Sequence, residues 1–354
     1  MDLKSPGLVT KSFLKDSMDI IAPQIKTQKP KKIIFQFGTA TDCVPHIGTY
    51  ITQTLAFVLA KKAKETFGID TAVIFKVLNH SSDLKAKTVD GIKYQINYSD
   101  SASKDYQSKK LEEFYFQYLD YVAGKLGVSY TADFHNKEQG SKAFRSKLIS
   151  TMQDYEKIRW FLNPQTGNLP VRFPCSKCHY FDVDNINTSI VSLGKDSFTA
   201  KSFCPEHGWY ESLVTAKNDT AVNVSTMYRN IIKECNYCDN DKKEFYVMIK
   251  GLDWQCGIYY LDMGLQAFGY EIYKVPLSRI FSPLITCSNG AKLAKSVLGG
   301  YDEEVNVKFR SQLLVTEDKK IIDKIIELCQ VLADDVNSLN RCYSVSELER
   351  ILLS

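Results

Sequence analysis

Two rhythms of apolar residues divide this chain. Compact runs at 33–35, 71–77, 128–131, 245–249 and 271–275 have the length of buried strands. Between them apolar positions recur every three or four residues: Ile51, Leu55, Val58 and Leu59; Leu111, Phe114, Tyr115, Tyr118, Leu119, Val122 and Leu126; Ile322, Ile325, Ile326, Cys329 and Leu332. These spacings predict helices after residue 46, over 104–126 and over 319–339, with Gly127 as the cap of the second. Further helices are predicted over 11–21, 142–161 and 255–268, and Ser344 with Glu347 makes a capping box before a last one. Strands that alternate with helices predict an α/β fold with a parallel sheet, whose strand-end loops gather along one edge.

Those loops carry the chemistry. The first breaks from its strand at Gly38 and ends at Pro45-His46-Ile47-Gly48-Thr49, in the first turn of a helix. A first turn presents unpaired N–H groups and the positive end of the helix dipole to an anion. Gly48 leaves room for a flat ring or a phosphate ester against the backbone, and His46 can donate to phosphate oxygens that gain charge in a transition state. A helix-start histidine capping its own backbone, beside a glycine kept for packing, would read the same way.

The loop after 71–77 carries Asn79-His80-Ser81-Ser82-Asp83. After 245–249 comes Lys250-Gly251-Leu252-Asp253-Trp254, where a carboxylate can accept both hydroxyls of a ribose or instead cap the following helix. Farther on, Ser288-Asn289-Gly290-Ala291-Lys292-Leu293-Ala294-Lys295-Ser296 is polar and is closed by Gly299-Gly300. Its two lysines can close over a triphosphate, although a solvated basic loop would look similar.

Pro45-His46-Ile47-Gly48 early and Lys292-Leu293-Ala294-Lys295-Ser296 late resemble the paired HIGH and KMSKS signatures of class I aminoacyl-tRNA synthetases. Over roughly 31–300 the resemblance is closest to the lysyl enzymes of that class, through the helical region before Phe161, a zinc-type insert after it, Gly251-Leu252-Asp253 and the closing loop. It implies a Rossmann-like catalytic domain in two halves, 31–170 and 216–300, around an insert at 171–215. An N-terminal extension, 1–30, would precede it and a short helical tail, 301–354, would follow.

The same resemblance implies ATP and Mg²⁺, an amino acid that is adenylated, and the acceptor end of a tRNA or a small molecule to receive it. The expected catalytic groups are His46, Lys292 and Lys295. The nucleotide would meet Gly38, His46, Gly48, Thr49, Gly251, Asp253, Lys295 and Ser296, and the amino acid Thr39, Asn79, His80 and Asp83. Two departures stand out. The lysyl enzymes carry an acidic cluster after the second strand, where this chain leaves only Asp83 to match a buried ammonium. They also carry a large anticodon-binding domain where this chain has only 301–354, so anticodon reading is not expected. A free-standing adenylate-forming ligase and a synthetase-like binding protein without catalysis are the alternatives; Leu293 and Ala294, in place of Met and Ser, keep the second open.

Cys175-Ser-Lys-Cys178 and Cys204-Pro-Glu-His207 are two knuckles separated by 25 residues that alternate like a hairpin. They supply the four ligands of a closed tetrahedral zinc site, which is structural because no position remains for substrate. Cys235-Asn-Tyr-Cys238 could replace one knuckle, bind a second metal or bind none.

Composition narrows little further. The 44% hydrophobic and 24% charged content is that of a soluble globular protein, and no apolar run approaches the ~20 residues of a membrane span. The N-terminal residues lack the apolar core of a signal peptide, so a cytoplasmic location is expected. Residues 301–354 hold seven basic and eleven acidic side chains, a balance of −4; the total of +4 therefore leaves +8 on 1–300, and a polyanion should bind there.

Overall fold

The computed structural model describes residues 14–41, 45–79, 86–101, 104–287, 289–293 and 318–353. Strands β1 (Lys32–Ala40), β2 (Asp70–Leu78) and β3 (Tyr130–Phe134) come first. Next, β4 (Thr188–Leu193), β5 (Ser197–Cys204) and β6 (Gly208–Thr215) form an antiparallel sheet of their own. Strands β7 (Glu244–Gly251) and β8 (Leu277–Ser282) then return to the first sheet, whose order is β8-β7-β1-β2-β3. All four pairings in it are parallel, so the chain is mixed α/β with a five-stranded parallel centre.

Because side chains alternate along a strand, β1 serves two cores. Ile33, Phe35 and Phe37 face helices α1 (Ser17–Gln28) and α2 (Ile47–Phe67). The same side holds the helical run of α3 (Lys104–Leu111) and α4 (Gln117–Leu126), joined by a π-helical turn at Glu112–Phe116. Tyr115, Tyr118, Leu119 and Val122 are fully buried there, so the aromatic stripe predicted over 104–126 is core. After α5 (His135–Gly140) and α6 (Lys142–Gln153), the other face of the sheet is covered by α7 (Thr226–Cys238) and α8 (Gln255–Ala267), which enclose Ile34 and Tyr246.

Toward the C-terminus, α9 (Lys319–Asp334) buries Ile322, Ile325, Cys329 and Leu332 in the same core as α2. Two short parallel strands, β9 (Leu284–Thr286) and β10 (Cys342–Ser344), pair beside it, and α10 (Val345–Leu353) follows. The Ser344 hydroxyl accepts from the Glu347 N–H, which is half of the expected capping box. Glu347 itself turns to Arg341.

Four predicted elements are corrected. The helix expected over 11–21 begins at Ser17, where the Asp16 carboxylate caps it, and runs to Gln28. The strand expected at 271–275 is a 3₁₀ turn, Ile272–Lys274, and the strand is β8. Pro276 marks the boundary: it has no N–H, and its carbonyl accepts from Tyr246 to start the ladder. The helix expected over 142–161 breaks at Asp154, outside helical geometry, and resumes only as Arg159–Leu162. The one over 319–339 stops at Asp335, whose extended backbone and carboxylate cap a separate turn, Val336–Leu339. Among the described residues no helix is long and apolar enough to cross a membrane.

Candidate functional site

The sheet order reverses between β1 and β7, because β2 and β3 build outward on one side and β8 on the other. Ligands of open parallel sheets lie at such a switch, beyond the carboxyl ends of the strands. A cavity of about 410 Å³ opens at this place, lined by the ends of β1, β7 and β8, the start of α2 and one face of α7.

His46 occupies the N-cap position of α2 with an extended backbone, and its ring makes no capping hydrogen bond. Its ring instead folds over Gly48: a Cβ there would lie 3.0 Å from His46 Cε1 and 3.2 Å from Ile285 Cγ1. The room that Gly48 gives is thus used by the protein's own imidazole and by β9. This holds the ring at the cavity wall beside the first turn, where the Thr49 N–H already bonds to the His46 carbonyl.

Across the cavity β7 ends at Gly251, where a side chain would collide with Asp253 Oδ1. Asp253 does not cap α8; its carboxylate pairs with the Lys292 ammonium. Lys292 stands on a tight turn in which Cys287 N–H bonds to the Ala291 carbonyl at 2.8 Å and Leu293 N–H to the Ile285 carbonyl at 2.8 Å. Leu293, where the synthetase signature has Met, is buried in the core. The first half of the basic loop is therefore built on β9, with one lysine directed at the strand end. Thr52 and Ser282, whose hydroxyls lie 2.6 Å apart, add polar groups to this wall.

The opposite wall is cationic. Lys76 of β2 donates to Asp133 of β3 and, at 2.8 Å, to Glu138 of α5. Burial disfavours its charge, but the two carboxylates outweigh burial and its pKa lies above the usual lysine value. On α7, Thr226, Arg229, Asn230 and Lys233 fall on one helical face and line the cavity. Lys233 is 4% exposed and has no hydrogen bond or ion pair among the described residues. Burial pushes its pKa down to about 8, with Glu138 opposing and Lys76 and Arg229 adding to the depression. Lys250 stands over the Trp254 ring at 4.6 Å and is likewise depressed to about 8, chiefly by burial.

The predicted site residues separate accordingly. Gly38, Thr39, His46, Gly48, Thr49, Gly251, Asp253 and Lys292 meet at one cavity. Thr39 is held there by the Gln53 amide, 3.2 Å away. Asn79 does not line it: its side-chain oxygen accepts the Asn136 N–H at 3.1 Å and its carbonyl accepts Ser99, a structural tie between β2 and α5. His80, Asp83, Lys295 and Ser296 lie outside the described residues. Sequence reasoning missed Lys76, Arg229 and Lys233. A charged residue inside the apolar run of β2, and basic residues four apart on the polar face of α7 with Thr226 and Asn230, were the available signals.

Cys175, Cys178, Cys204 and His207 converge, with their ligand atoms all within 4.8 Å of one another. The contacts Cys175 Sγ–His207 Nδ1 at 3.6 Å, Cys204 Sγ–His207 Nδ1 at 3.5 Å and Cys178 Sγ–Cys204 Sγ at 3.4 Å are near the ~3.5–3.8 Å edges of a tetrahedron with Zn–S ~2.3 Å and Zn–N ~2.1 Å. Three thiols and an imidazole in that arrangement fit zinc with no open position. Cys235 and Cys238 are elsewhere, one turn apart on α7, with Cys235 wholly buried in the core behind the sheet.

No family model matches the chain, and no curated protein matches it in sequence. Among solved structures, a putative arginyl-tRNA synthetase from Campylobacter jejuni superposes with a TM-score of 0.40 at 10% identity, over 93% of this chain and 70% of that one. The glutamate-tRNA synthetase of Elizabethkingia anophelis gives 0.42 at 10%, over 90% and 70%. A tryptophanyl-tRNA synthetase homolog from Entamoeba histolytica gives 0.39 at 12%, over 78% and 55%. Likenesses this low carry no argument about what the present chain does.

Proposed function

We propose that this chain is a class I synthetase-like ligase that adenylates an amino acid at the expense of ATP. The observation that supports this reading is the convergence of His46 and Gly48, from one signature, and Lys292, from the other, on a single cavity at the β1–β7 switch. A carboxylate oxygen of the amino acid attacks the α-phosphorus, the bond to the pyrophosphate oxygen breaks, and no side chain becomes covalently attached.

His46 is positioned to donate to a phosphate oxygen as charge builds on it, while Lys292, with Lys295 beyond it, would balance the leaving pyrophosphate. Asp253 would accept the ribose hydroxyls, which requires Lys292 to exchange its present carboxylate for phosphate. The lining holds one carboxylate, Asp253, already paired, so it does not fit a protein-held Mg²⁺; that ion would come with the nucleotide and neutralise phosphate charge. Cys175, Cys178, Cys204 and His207 would hold zinc as a structural element of the insert. The acceptor of the acyl adenylate is the 3′ end of a tRNA or a small amine.

ATP–pyrophosphate exchange with each of the twenty amino acids tests the reading, on wild-type protein and on His46→Ala. Exchange with one amino acid, reduced about 10²-fold or more in the variant, is expected. Absence of exchange with all twenty and with O-phosphoserine, with and without total tRNA, would sink it.

A further inference from the structure

Taking the adenylation reading above as its basis, we infer that the amino acid bound in this cavity carries an anionic side chain, a carboxylate or a phosphate monoester, received by Lys233, Arg229 and Lys250.

Five cations line the cavity: Lys76, Arg229, Lys233, Lys250 and Lys292. Asp133 and Glu138 both bind Lys76, one carboxylate more than its charge requires, and that surplus acts on Lys233 at longer range; Asp253 matches Lys292. Glu234, the next acidic group on α7, is bound to Arg279, which also holds Asp262 at 2.8 Å. Lys233 is left with no direct partner. Among the described residues the Arg229 guanidinium, 7% exposed, reaches only the Val224 carbonyl at 3.3 Å and the Thr226 hydroxyl at 3.5 Å, and its Nε has no partner. Lys250 has an aromatic face but no carboxylate.

Burying an ion without a counterion is costly, and a fold that keeps Lys233 and Arg229 buried and Lys250 half-buried around one cavity, against a single surplus carboxylate, gains when an anion enters. An ammonium side chain would meet the opposite situation. It would add a sixth cation where every carboxylate is already engaged. A neutral side chain would leave the three cations as they are. The groups that face Lys233 are Glu138 from α5, Lys76 from β2, Lys250 from β7, and Arg229 and Glu234 on its own helix. Their sum is positive, so an anion gains from the whole set.

Titration calorimetry on the full chain tests this, using glutamate, aspartate and O-phosphoserine against lysine and leucine, each with and without a saturating non-hydrolysable ATP analogue. At least one acid is expected to bind ten-fold or more tightly than lysine. That preference should fall at least ten-fold in Lys233→Met and in Lys250→Met, both checked for folding by circular dichroism. Preference for glutamate or aspartate assigns a carboxylate, and preference for O-phosphoserine a phosphate. The inference is overturned if lysine or leucine binds better, if no acid binds under either condition, or if the acid binds both folded variants as it binds wild type. It is overturned equally if Lys233→Met loses only the ATP analogue, since the cations then serve the triphosphate. An acid that binds without pyrophosphate exchange leaves this inference intact and removes the adenylation reading. Exchange with a neutral or basic amino acid does the reverse.

Discussion

Lys76 and Lys233 line the same cavity, are buried to nearly the same degree, and differ in what stands beside them. Lys76 has two carboxylates, one from the neighbouring strand and one from α5, and its ammonium is held more firmly than in water. Lys233 has none within bonding distance, and burial draws its pKa toward neutrality. A buried cation whose counterions come from its own chain is part of the scaffold. One whose counterion is missing is a site waiting for a ligand, and the fold bears a standing cost for it.

The comparison is broken most severely by Lys76→Met. Glu138 is kept ionised by Lys233 and Lys76 against the opposing effect of burial. Removing Lys76 takes the direct partner from buried Glu138, which keeps only Lys233 at longer range, while Asp133 turns to solvent; a loss of about 3 kcal/mol in urea unfolding is expected. A loss below about 1 kcal/mol would mean that Lys233 moves in to replace it.

Lys233→Met should act in the other direction, with a gain on the order of 2 kcal/mol at pH 7. The sign follows from a folded pKa of about 8 against 10.5 unfolded. Below pH 8 both states are protonated and the folded chain carries the full cost of charge burial. Between 8 and 10.5 the folded lysine loses its proton first, so the wild type regains stability as pH rises. The advantage of the variant should therefore shrink across that window; a constant gap would assign it to packing.

The smallest effect is expected from Asp253→Asn. Its pair with Lys292 is about one-third to one-half exposed, so the stability change should stay under about 1 kcal/mol. The informative reading is nucleotide affinity, which should fall if the Asp253 carboxylate accepts the ribose hydroxyls as proposed.

Much of the scaffold is legible in the sequence, because β1, β2 and β7 hold apolar runs long enough for buried strands and α2 and α4 keep helical spacing. The cluster of Cys175, Cys178, Cys204 and His207 is legible because two knuckles impose a fixed spacing. The cationic wall is not. Arg229 and Lys233 acquire meaning only when α7 is laid across the switch point, and Lys76 only when β3 and α5 bring its acids from 57 and 62 residues away. Pairing between distant segments leaves no local rhythm to read. The displaced strand at 277–282 is a different failure: Ile272, Tyr273 and Val275 have strand-like composition, and Pro276 was the boundary mark that composition obscured.

The β9–β10 pair bears on how the molecule is made. Leu284–Thr286, the root of the turn that carries Lys292, finds its partner in Cys342–Ser344, near the C-terminal end of the chain. The five-stranded sheet is complete once residue 282 has emerged from the ribosome, yet the turn is braced only after some sixty further residues follow. A nascent chain therefore holds the finished sheet, with the Lys292–Asp253 pair within its reach, before β9 gains its neighbouring strand, so the floor of the cavity is made ahead of the brace on this wall.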